Sequence, residues 1–109
     1  MKTVDAKNFT KTFDWIFSLT NDVKQNISNS KNDDGYLCTI FLPLINKTIV
    51  GLGDTSLEAV DKATTQCSKL IDEYLKTNKS PQIRPLFGNK NCFLEENENG
   101  EIIIHLREE

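Results

Sequence analysis

Gly35-Tyr36-Leu37-Cys38-Thr39-Ile40-Phe41-Leu42 and, five residues on, Thr48-Ile49-Val50-Gly51-Leu52-Gly53-Asp54-Thr55-Ser56-Leu57-Glu58 decide the fold. Tyr36 to Leu42 and Lys47 to Val50 are rich in β-branched and aromatic residues, which suit a half-buried pleated surface. Gly51 and Gly53 then read as a sharp backbone turn out of the second strand. Thr55-Ser56-Leu57-Glu58 has capping-box spacing, a hydroxyl and a carboxylate three residues apart at a helix start. Beyond it Val60, Ala63, Cys67, Leu70, Ile71 and Tyr74 recur at helical steps, so a helix runs from about Ser56 to Lys76. A helix striped in this way lies on a sheet.

Upstream, Phe9, Phe13, Ile16, Thr20, Val23 and Ile27 alternate four- and three-residue steps, a helix over residues 8–27. A strand across Phe13-Asp14-Trp15-Ile16-Phe17 is the open alternative. Asn26 to Asp34 lacks an apolar period and reads as a loop. Pro43 closes the first strand and Asn46-Lys47 turns the chain into the second. Downstream of the long helix, Pro81 stops it. Ser80 to Asn91 is a connector, with Ile83, Leu86 and Phe87 tacking it to the core. Asn99-Gly100 between Cys92-Phe93-Leu94 and Ile102 to Leu106 reads as a type I′ hairpin, which sets Phe93 across from Leu106. The expectation is one α+β domain over residues 1–109: an antiparallel sheet of about four strands with two helices on one face, in the order α-β-β-α-β-β.

With 109 residues, a net charge of -3 and 27% charged residues, the chain has the composition of a soluble single domain. The acidic balance disfavours broad, unspecific binding to a phosphate backbone. No apolar run reaches the ~20 residues of a membrane span, and the first residues lack the apolar core of a signal peptide. Cys38, Cys67 and Cys92 are odd in number and far apart. A disulfide framework or zinc site is not expected, and a reducing cytoplasm is the expected setting.

Chemistry-bearing motifs are few. Gly51-Leu52-Gly53 ahead of a helix is the pattern of an anion cradle on free amides, with Thr55 at its rim. Its competitor is a tight turn with a capped helix, and Asp54 and Glu58 rival any anion for those amides. Lys47, Lys76 and Lys79 are candidate contacts to a partner, while Lys76 and Lys79 also suit the negative end of the helix dipole. His105, the single histidine, has no Ser or Cys nucleophile marked beside it, so no catalytic residue is assigned. The acidic runs Asp33-Asp34 and Glu95 to Glu98 lack calcium-loop spacing. No metal and no cofactor are expected.

Asp34-Gly35-Tyr36, a proline-closed strand, Gly53-Asp54-Thr55, Glu58-Ala59 and Tyr74-Leu75 together resemble HicB-type antitoxins over about 40 residues. The family's Leu-Pro-Gly-Cys tract is replaced by Leu44-Ile45-Asn46-Lys47, its leading strand by a helix, and no DNA-binding module is evident in the tail. Gly51, Gly53, Thr55, Ala59 and Ala63 also fall on the small positions of the double-stranded-RNA-binding fold. That family's phosphate-bridging lysines are Ser56, Leu57 and Val60 here, with Asp54 and Glu58 alongside. The resemblance implies a non-catalytic binding module that engages a toxin-like protein or an RNA. An exposed sheet edge would serve strand addition or a homodimer. The alternatives are an RNA-binding protein without the usual lysines and a small enzyme with an unrecognised site.

Overall fold

The computed structural model describes residues 3–19, 26–78, 87 and 91–107. The elements are β1 (Thr3–Asp5), α1 (Lys7–Leu19), β2 (Ile27–Asn32), β3 (Gly35–Leu42), β4 (Lys47–Gly53), α2 (Ser56–Thr77), β5 (Asn91–Glu96) and β6 (Ile102–Arg107). The class is α+β. The strands form two three-stranded antiparallel sheets, β2-β3-β4 and β1-β5-β6, in place of the expected single sheet of about four strands.

Two short strands account for the difference in element order. Ile27-Ser28-Asn29-Ser30-Lys31-Asn32 is β2, not loop, and pairs residue for residue with β3 from Ile27↔Ile40 to Asn32↔Gly35. Only Ile27 is half-buried there, so its own composition gives no strand period. The ladder to β3 holds it, as does an Asp33-Asp34 turn in which the Asp34 amide donates to Asn32 Oδ1 at 3.0 Å. β1 is three residues long and pairs with β5 from the far end of the chain.

The first helix covers Lys7–Leu19, so Phe13 to Phe17 is helical. Thr20 and Val23, assigned to the same stripe, lie outside the described residues, and Ile27 belongs to β2. α1 packs chiefly along α2. Trp15 meets Tyr74 edge to face at 5.6 Å, the Asn8 side chain donates to Thr65 Oγ1 at 3.3 Å, and Lys11 pairs with Asp72. α2 itself lies across β3 and β4.

One apolar cluster joins these layers: Trp15 and Ile16 from α1, Cys38, Ile40 and Leu42 from β3, Val60, Ala63, Cys67 and Ile71 from α2, and Leu94 from β5. The Cys38 and Cys67 thiols lie inside it, whereas Cys92 packs against it half-buried. Burial pushes Cys38 up to about 11, and burial together with its neighbour Cys38 pushes Cys67 up to about 12. Of the connector residues expected on the core, Phe87 stacks edge to face on Phe13 at 5.4 Å, whereas Ile83 and Leu86 lie outside the described residues.

The last hairpin differs from expectation by one residue of register. Phe93 faces His105, not Leu106. Asn97 closes the loop one position earlier than a two-residue turn would: its amide donates to Glu101 O, and its side-chain oxygen accepts from the Asn99 and Glu101 amides at 2.9 Å. Gly100 takes φ 79°, the left-handed residue that ends a three-residue loop. A shift of one residue exchanges the two faces of the strand.

Candidate partner-binding surface

Gly51 and Gly53 are strand residues, not the turn expected of them. Gly51 pairs with Cys38 and Gly53 with Tyr36, inside the β3–β4 ladder. Their lack of a side chain serves the approach of α2. A Cβ on Gly51 would stand 2.3 Å from Ala59 O and 2.6 Å from Ala63 N, and one on Gly53 2.7 Å from Ala59 N. Strand and helix therefore meet backbone to backbone, with Ala59 and Ala63 as the small residues on the helix side.

The start of α2 is closed by the protein's own oxygens. Thr55 Oγ1 accepts from the Glu58 amide at 3.1 Å, and Ala59 N donates to Thr55 O at 3.1 Å. Glu96 on β5 reaches across and accepts from the Leu57 amide at 2.7 Å, a charge-assisted cap that also ties the β1-β5-β6 sheet to α2. The Glu58 carboxylate turns back to accept from the Asp54 amide at 3.4 Å. The amides of Leu57 and Glu58, which an anion would use, are thus already paired within the chain. The anion-cradle reading of Gly51, Gly53 and Thr55 gives way to a packing seam and a capped helix.

Beside this helix start lies an open cleft of about 420 Å³, lined by Asn32, Asp34, Tyr36, Leu52, Gly53, Asp54, Glu58 and Lys62. Lys62 is engaged by Glu58 at 2.9 Å and Lys31 lies over the Tyr36 ring, so the carboxylates of Asp34, Asp54 and Glu58 outnumber the two lysines at the cleft. Tyr36 forms its floor. Its ring carries Lys31 Nζ at 5.7 Å from the centroid and abuts Gly100 of the β5–β6 loop. A smaller hollow of about 280 Å³ lies among Asp5, Asn91, Cys92 and Phe93.

The outer face of the β2-β3-β4 sheet is of another kind. Leu37 stands across from Leu52, Thr39 from Val50 and Phe41 from Thr48, with Ser28 and Ser30 next along on β2. Val50 is 46% exposed and Leu52 61%. None of these side chains carries a charge.

The lysines singled out do not converge with the glycines. Lys47 opens β4 at the end of the strand away from Gly53, and Lys76 is exposed in the last turn of α2, a helix length from Thr55. Lys79 lies outside the described residues. His105 stacks on Phe93 at 4.7 Å between ring centres, and its Nε2 lies 2.8 Å from Glu95 Oε2. Among the described residues no three metal-ligating side chains gather, and no helix is long and apolar enough to cross a membrane.

Three features escaped sequence reasoning: the Glu96 cap, the acidic cleft and the uncharged sheet face. Ala59 and Ala63, one helical turn apart after a Gly-x-Gly, were the available signal for the seam. Compared with known proteins, the chain matches no protein-family model, no curated protein and no solved structure.

Proposed function

We propose that this chain is a non-catalytic binding module of the HicB-like kind, and that it engages a basic protein partner through the cleft beside the start of α2. The observation that carries the reading is the sign of that cleft. Asp34 on the β2–β3 turn and Asp54 and Glu58 at the helix start face one hollow, with Lys62 held by Glu58. A basic, RNA-cleaving toxin would meet complementary charge there, which steers encounter and selects among partners. The toxin is an inference from family resemblance, not from the fold alone.

The second reading is RNA binding, and one observation favours it. The succession α1, β2, β3, β4, α2 follows the helix, three-strand, helix order of the double-stranded-RNA-binding fold. Against it, the surface where that family places lysines carries carboxylates, and each phosphate would approach like charge.

Binding to a short RNA duplex at roughly 50 mM salt, where phosphate contacts are strongest, separates the readings. The protein reading expects no binding to the duplex. It expects salt-sensitive association with the product of a short basic reading frame beside the gene, weakened at least tenfold by Asp34→Lys with Asp54→Lys. Tight duplex binding that falls steeply with salt would replace it with the RNA reading.

A further inference from the structure

We infer that β4 is a self-association edge, and that a second copy of this chain pairs with it antiparallel about Val50. This goes beyond the proposed partner site, with which it shares Leu52, and does not depend on it.

The backbone supplies the first argument. In an antiparallel ladder, successive residues point their N–H and C=O groups alternately toward one neighbouring strand and the other. The Asn26 side chain donates to Phe41 O at 3.1 Å on the β2 side of β3, and the Gln66 side chain donates to Val50 O at 3.3 Å on the side of β4 away from β3. Since Phe41 pairs with Thr48 and Thr39 with Val50, the groups of Thr48, Val50 and Leu52 point off the free edge. Among the described residues no strand takes them. Three outward residues centred on Val50 are self-complementary under a two-fold axis. Once the exposed Gln66 side chain, which donates to Val50 O in the single chain, swings aside, Val50 exchanges both bonds with its copy, and Thr48 and Leu52 exchange theirs with Leu52 and Thr48 of the second chain.

Comparison of the four sheet edges supplies the second. Natural edges are blunted by charge, shortness or bulges. β1 is three residues long, β2 presents Ser, Asn and Lys, and β6 carries His105. β4 is seven residues long, pairs with β3 without a bulge, and has its only charged residue, Lys47, at its first position.

Charge supplies the third argument and identifies the occupant. The chain carries a net charge of -3, yet the sheet face above β4 is uncharged and the edge itself carries charge only at its ends, with Lys47 at the start and Asp54 just past Gly53. Two copies meet there without repulsion, because the two-fold about Val50 sets Lys47 of each copy across from Gly53 of the other, next to Asp54. Strand pairing would place Val50 beside its copy and Leu52 beside Thr48, covering the exposed apolar surface by cross-strand contact. One strand per partner is a small interface of the weak, reversible class.

Sedimentation equilibrium over a wide concentration range tests the inference. The weight-average mass of the wild type is expected to rise from 12.4 kDa toward twice that value, with little dependence on salt. Val50→Lys places like charges on the axis and is expected to weaken association at least tenfold with an unchanged circular dichroism spectrum. Leu52→Lys repeats the test should Val50→Lys misfold. Leu106→Lys, on the β6 edge, is expected to associate as the wild type does. A mass that stays at the monomer value, association untouched by both β4 variants, or loss of association in Leu106→Lys would each overturn the inference.

Discussion

Along β4, Ile49, Gly51 and Gly53 face α2, while Thr48, Val50 and Leu52 alternate with them and face outward. On the inner side a single methyl group has no room: a Cβ on Gly51 would sit 2.3 Å from a helix carbonyl. On the outer side a leucine stands 61% exposed. The two faces are built from neighbouring residues of the same strand, so the difference between them comes from what covers each face and not from local composition. Close packing makes the inner face intolerant of change and specific to this fold. The outer face is more open, with Thr48, Val50 and Leu52 exposed along β4.

The contrast can be broken most severely at Gly51. Gly51→Val must push α2 off the sheet, and the unfolding free energy from urea titration is expected to drop by about 3 kcal/mol or more. A loss below about 1 kcal/mol would mean that the seam is loose.

Alkaline pH probes the same interior from another side. Cys38 and Cys67 remain thiols in the fold until about 11 and about 12, whereas in the unfolded chain they ionise near 9.0. Their contribution is therefore complete below pH 9 and is lost as the pH rises through about 11 for Cys38 and about 12 for Cys67, a loss on the order of 2 kcal/mol or more for each thiol. Melting temperatures between pH 8 and pH 11 measure it. Cys67→Ala is expected to flatten the slope, and an identical slope in that variant would place the thiol in contact with water.

A smaller effect is expected at the helix start, where the seam meets the cleft. Thr55→Ala removes the hydroxyl that accepts from the Glu58 amide and is expected to destabilise by about 1 kcal/mol in the same urea titration. The smallest effect belongs to the outer face. Val50→Lys is expected to change the stability of the dilute monomer by no more than about 0.5 kcal/mol. A loss comparable to that of Gly51→Val would erase the distinction between the faces.

The same contrast explains what could be read from the sequence. α2 was legible because both its signals are local: the apolar stripe from Val60 to Tyr74 and the Thr55 cap. β3 was legible from its own β-branched and aromatic run. β2 was not, because Ser28 to Asn32 become a strand only through their ladder to β3. β1 was not, because its partner β5 lies at the other end of the chain. The register of the last hairpin turned on the Asn97 side chain, which takes two loop amides that a type I′ turn would leave to the backbone. At the candidate site, Gly51 and Gly53 were located correctly as special positions and given the wrong reason. A glycine needed for a turn and a glycine needed for close approach look alike in sequence, and the carbonyl of Ala59 distinguishes them only in three dimensions.

Hydrogen exchange along β4 tests the central claim most directly, because neighbouring amides of one strand should report opposite environments. The Ile49 and Gly51 amides, bonded to β3, are expected to exchange slowly at every protein concentration. Those of Thr48, Val50 and Leu52 are expected to exchange fast in dilute solution and to slow as the concentration rises. Uniform protection along β4 in dilute solution, or fast outward amides at all concentrations, would contradict the account.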